Sequence, residues 1–153
     1  MNSYIRRNLR RLRRGKKTEN LGKLSIFELH IFRQEFGRRL IKAEPDYKVV
    51  DNLLGGMKFF KSFGEDFRLR LYSLMKYKLV AKGTVLSPDL KYVVINGSVQ
   101  IKMQLDSDIF RTVTLYEGDS VGELDVIRDK ESADGHGNSV ATTLGETDLL
   151  FMD

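Results

Sequence analysis

The chain has no cysteine and no tryptophan, and only two prolines and two histidines in 153 residues. Without cysteine there is no disulfide framework, no thiolate metal site and no cysteine nucleophile, a composition that fits a reducing compartment. His30 and His136 stand at unrelated places, too few to assemble a nucleophile, a base and an orienting group. His136 has only Asp134 near it, which is short of a metal-ligand set. The chain is therefore read as a non-enzyme that needs no metal and no cofactor. No apolar run approaches the roughly 18 residues of a membrane span, and the N-terminus lacks the apolar core of a secretory signal. A soluble cytoplasmic protein is the expectation. With 41% hydrophobic residues, nine Phe and six Tyr, a packed core is within reach. The length suits one domain plus an appendage.

Charge is unevenly spread. Arg6, Arg7, Arg10, Arg11, Arg13, Arg14, Lys16 and Lys17 supply eight of the 26 basic residues, and the first 17 positions hold no acid. The rest carries 18 basic against 21 acidic side chains, so the net charge of +5 describes an arm and not the body. Ile5, Leu9 and Leu12 would form a thin apolar stripe on a helix between arginine faces. An anionic lipid surface, nucleic acid, calmodulin or an import receptor would each match such clustered cations. A solvated, frayed arm is the equal alternative. Residues 1–24 are assigned to this arm, with Lys16–Asn20 as linker.

Ser25 and Glu28 have the spacing of a capping box and open a first helix, with Ile26, Leu29, Phe32, Phe36 and Leu40 expected on its inward face. Pro45 ends it. Asp46 to Leu54 reads as a second helix closed by Gly55 and Gly56, and Glu65 to Lys76 as a third with Phe67, Leu71, Leu74 and Met75 inward. From Tyr77 the period becomes two. KYKLVAKGTVL, KYVVINGSVQIKM, FRTVTLY and VATT are rich in β-formers, and Asp148 to Met152 reads as a last strand. Asn96-Gly97 predicts a hairpin turn, because both positions tolerate positive φ. The expectation is an α+β chain, with helices over 25–76 and an antiparallel sandwich or barrel over 77–153.

Helices followed by Tyr92-Val93-Val94-Ile95-Asn96-Gly97-Ser98-Val99, and then by Gly118-Asp119-Ser120-Val121-Gly122-Glu123-Leu124, resemble the cyclic nucleotide-binding domain of kinase regulatory subunits, gated channels and bacterial catabolite activators. The resemblance covers residues 50–153 and extends to the stand-alone cyclic nucleotide-binding domain-containing proteins of eukaryotes. It implies a jelly-roll β-barrel, a phosphate-binding cassette at about 118–140, and cAMP or cGMP as ligand. In the cassette a short helix after Gly122 would aim backbone N–H groups at a phosphate. The Glu123 carboxylate would accept from a ribose 2′-hydroxyl, and Leu124 completes the motif.

The family also pairs the phosphate with an arginine nine residues after that glutamate, in a Pro-Arg-Ala-Ala segment. Here that position is Ser132, preceded by Glu131 and followed by Ala133, and no arginine lies between Lys130 and Val140. Arg128 is the nearest substitute. The expected site is Gly122, Glu123, Leu124, Arg128, Ser132 and Ala133, with a weakened grip on phosphate. Ser87-Pro88-Asp89-Leu90-Lys91 is tighter than the family's loop there, and the family's C-terminal lid helices are expected to be absent. Two functions compete: a cyclic nucleotide-binding regulatory module, and a ligand-free scaffold that docks a protein or membrane through its basic arm.

Overall fold

A computed structural model of the chain describes residues 23–37, 44–121 and 139–153, and the basic arm lies outside them. The chain divides into two compact units, one up to Met75 and one over Lys76–Asp153.

The first unit holds three helices: α1 (Ile26–Gly37), α2 (Tyr47–Leu54) and α3 (Glu65–Leu74). The capping box forms as the spacing requires. The Glu28 N–H donates to Ser25 Oγ and the Ser25 N–H to Glu28 Oε1, both at 3.1 Å. Asp46 caps α2 by accepting from the N–H groups of Lys48 and Val49 at 3.1 and 3.3 Å. The Asp46 N–H in turn donates to Glu35 at 2.9 Å, which satisfies a glutamate that is buried on α1.

Phe32 and Phe36 face inward on α1 as expected. Ile31, Phe32, Glu35 and Phe36 are buried, whereas Ile26 is 90% exposed, and Leu40 lies outside the described residues. A buried glutamate disguised the apolar stripe. On α3, Phe67 and Leu74 are likewise exposed, while Leu71, Tyr72 and Met75 are buried. A polar clasp orients this helix. Arg68 Nε and Nη2 donate to the two oxygens of Asp51 at 2.7 and 3.0 Å, Arg68 Nη1 donates to the Phe63 carbonyl, and Tyr72 Oη donates to Asp51 at 2.7 Å. The bond to Asp51 raises the Arg68 pKa, and burial followed by that same carboxylate raises the Tyr72 pKa.

The second unit is antiparallel. Its strands are β1 (Lys76–Val80), β2 (Lys91–Asn96), β3 (Val99–Asp106), β4 (Ile109–Leu115), β5 (Ser139–Thr143) and β6 (Thr147–Met152). They form two three-stranded sheets, a first in the order β1-β6-β2 and a second in the order β4-β3-β5. The chain is α+β as expected, but the described strands do not close into one barrel. Isolated bridges Val85–Thr142 and Val93–Ser120 are the added pairings recorded outside the named strands.

The Asn96-Gly97 turn also differs from the expected hairpin, because β2 and β3 belong to different sheets. Gly97 does take positive φ, 108°, but what it makes is a crossing between sheets. A Cβ there would stand 2.6 Å from Thr147 Oγ1 and 2.9 Å from the Glu146 carbonyl oxygen, so the backbone passes β6 where only glycine fits.

Candidate functional site

The core of the strand unit gathers Tyr92, Val94 and Leu149 of the first sheet with Val99, Ile101 and Leu115 of the second, together with Leu86 and Val121. Partly buried Met103, Val113, Ala141 and Phe151 pack against it. Strand side chains alternate between faces, so these residues define the inner face of each sheet. On the second sheet that face reads Val99, Ile101, Met103 along β3 and Leu115, Val113, Arg111 along β4. The register pairs Met103 with Arg111 on one side and with Ser139 on the other. Arg111 therefore continues an apolar face, one row beyond Val113.

The outward side of the same sheet is marked by Lys102 and Phe110, whose ammonium lies 4.5 Å from the ring centroid. On the first sheet Lys78, paired with inner-face Leu149, has its ammonium 5.1 Å from the Tyr92 ring and 5.0 Å from the Phe151 ring. Both lysines have their charge placed on an aromatic face. No hydrogen bond or ion pair involves the Arg111 guanidinium among the described residues.

The stretch before Gly122 is held firmly. Gly118, at φ 88°, donates its N–H to the Val94 carbonyl at 2.7 Å, and Val94 and Val121 donate to the carbonyls of Asp119 and Tyr92, each at 2.9 Å. The Asp119 carboxylate accepts from the Tyr116 N–H at 2.9 Å and closes the turn. The segment thus runs as a short partner of β2 and delivers the chain to Gly122 from Val121, which is buried in the core. The tight connection before β2 is fixed by the Ser87 N–H, which donates to Tyr92 Oη at 3.2 Å.

Gly122, Glu123, Leu124, Arg128, Ser132, Ala133 and His136 lie outside the described residues. Of the described residues that flank them, Val121 packs in the core and Ser139 opens β5 across from Met103. The place of Arg111 on the inner face was not singled out at the level of sequence. Period-two counting back from Leu115 through Val113 would have put it on the apolar face, but only the strand register sets it beside Met103 and across from Ser139. His30 is exposed on α1, and among the described residues no group of three or more His, Asp or Glu side chains is placed to hold a metal.

No family model and no curated protein matches the sequence. Solved structures do match in fold. One is a regulatory subunit of a cAMP-independent protein kinase A from Trypanosoma brucei, carrying three substitutions and bound to cAMP in its A site, with a TM-score of 0.57, 16% identity, 81% of this chain covered and 43% of that one. The corresponding subunit from Trypanosoma cruzi, bound to guanosine, has a TM-score of 0.55, 12% identity and coverage of 69% and 38%. PKAR CBD2 bound to Sp-2Cl-cAMPS has a TM-score of 0.53, 15% identity and coverage of 70% of each chain. The chain spans about two-fifths of the length of the trypanosome subunits. It has the fold of the cyclic nucleotide-binding domain, helices first and antiparallel strands after.

Proposed function

We propose that the chain is a regulatory, non-catalytic module that binds a purine nucleoside or cyclic nucleotide and holds the phosphate weakly. The observation that carries this reading is the pairing of an intact Gly122-Glu123-Leu124 motif with the lack of any arginine between Lys130 and Val140. Gly122 would let the backbone approach the ligand, and Glu123 would accept from the ribose 2′-hydroxyl. Ser132 and Ala133, where the family places its arginine, bring no charge. Losing one charge-assisted contact of roughly 1.5 to 3 kcal/mol lowers affinity by about one to two decades.

Two of the fold neighbours support the direction of the reading. The subunit from Trypanosoma cruzi is bound to guanosine, a ligand with no phosphate. The cAMP complex from Trypanosoma brucei is that of a variant in which one of the three substitutions replaces a threonine by an arginine. The two described sheets correspond on this reading to the halves of a jelly roll, and the site of action is the cytoplasm.

Thermal unfolding with 1 mM cAMP, cGMP, adenosine or guanosine tests the proposal. A dissociation constant of about 10 to 100 μM adds roughly 1.4 to 2.7 kcal/mol by mass action. At about 2 to 4 °C per kcal/mol for this size, the midpoint rises by about 3 to 10 °C, and Glu123→Ala removes the rise. No shift with any of the four, in a chain that unfolds cooperatively, overturns the reading in favour of a ligand-free scaffold that docks through its basic arm.

A further inference from the structure

We infer that Lys76 and Arg111 guard the two open sheet edges of the strand unit against pairing with a second copy of this chain. The inference concerns self-association and is independent of the ligand reading above.

Each sheet has one edge that the chain covers itself. β2 is extended by the stretch before Gly122, where the Val94 and Val121 N–H groups donate to the Asp119 and Tyr92 carbonyls, each at 2.9 Å. β5 is extended by residues 83–86. There the Gly83 N–H donates to the Thr143 carbonyl at 2.8 Å, the Thr143 N–H to the Thr84 carbonyl at 3.0 Å and the Leu86 N–H to the Ala141 carbonyl at 2.9 Å. The opposite edges are β1 and β4, and among the described residues no strand lies beyond either. An open edge is a template for another strand. β4 is a strong one: apart from Arg111, Ile109–Leu115 consists of Ile, Phe, Thr, Val and Leu, with no proline, no glycine and no other charge. Ile109 and Phe110 are exposed on it.

Charge divides between the edges in the same way. The inner rows of the covered edge strands, Tyr92 and Val94 on β2 and Ser139, Ala141 and Thr143 on β5, hold no charge. Those of the open strands do. Arg111 on β4 is in register with Met103, Lys76 on β1 is in register with Phe151, and both are exposed. Because side chains alternate with a period of two, pairing edge to edge keeps inner row beside inner row. The inner row of β4 is Ile109, Arg111, Val113 and Leu115, and that of β1 is Lys76, Lys78 and Val80. Wherever these rows meet those of a copy, a cation lies against an apolar side chain or another cation, and neither row has an acid to pair it. The first contact strips hydration from a charge, and the second adds repulsion.

Sedimentation velocity of the full chain over a concentration series tests this, with Arg111→Val, Lys76→Val and, as control, Lys91→Val. Lys91 is also exposed but lies on the covered strand β2, so its loss changes the net charge equally without opening an edge. The two edge variants are expected to self-associate at least about tenfold more tightly than the unmodified chain, and Lys91→Val to match it. Arg111→Lys keeps the cation and should match it as well. All four changes are at exposed positions, and cooperative thermal unfolding checks that each variant folds; should one edge variant fail to fold, the other carries the test. Edge variants that associate no more than Lys91→Val overturn the inference, as does an Arg111→Lys variant that associates as tightly as Arg111→Val. A gain at one edge alone overturns it for the other.

Discussion

The two sheets of the strand unit obey different rules. In the first, Tyr92–Ile95 of β2 and Thr147–Leu150 of β6 are buried without interruption, so both faces of these two strands are covered, while β1 at the edge is partly exposed. Even the polar members are inside, and they are paired: Tyr77 Oη donates to Asp148 at 2.6 Å, and Thr147 Oγ1 donates to the Gly145 carbonyl at 2.9 Å. In the second, burial follows the pleat and fades toward the β3–β4 tip, where Leu105, Ile109 and Phe110 are exposed. A sheet covered on both faces is committed to packing. One that opens toward solvent at one end leaves inner-face positions such as Arg111 exposed.

Three substitutions sharpen that contrast. The largest effect is expected from Leu149→Ala in the first sheet, which empties a fully buried site and should cost about 2 to 5 kcal/mol in chemical denaturation. A cost under about 1 kcal/mol would show that the first sheet is less tightly packed than its burial implies. Next comes Gly97→Ala at the crossing between sheets, where positive φ and the Thr147 contact together should cost about 1 to 3 kcal/mol. Because Thr147 lies on β6, the loss should be smaller in a Thr147→Ala background, and a double-mutant cycle reads the coupling. The smallest effect belongs to the outer face of the second sheet. Lys102→Ala removes an exposed contact with Phe110 and should cost about 0.5 to 1 kcal/mol, seen as a midpoint shift of about 1 to 4 °C. A loss as large as that of Leu149→Ala would erase the distinction between the sheets.

Much of this architecture was readable in advance, for local reasons. Ser25 and Glu28 needed only three residues of spacing to announce a cap, and Asp46 ended its turn with the oxygen that α2 requires. The strands at 91–96, 99–106 and 109–115 followed from Val, Ile and Thr at period two. On α1 the burial of Phe32 and Phe36 followed too, but that of Glu35 did not, because it accepts from the Asp46 backbone, eleven residues on. After Glu65, Leu71 and Met75 are inward as expected, whereas Phe67 and Leu74 are exposed and Arg68 and Tyr72 turn toward Asp51. In both helices the unforeseen members of the buried face are polar groups bonded far along the chain.

For the candidate site the division is similar. The Gly-Glu-Leu motif and the stretch without arginine are properties of neighbouring residues, so the sequence by itself determined which chemistry is present and which is missing. It also set the helix caps and the strand periods. Which strands share a sheet, that Asn96-Gly97 crosses between sheets, and that Arg111 lies across Met103 from Ser139 were decided only by the tertiary structure. Pairing between strands far apart in the chain depends on a register fixed by the whole core, and no local window of sequence contains that register.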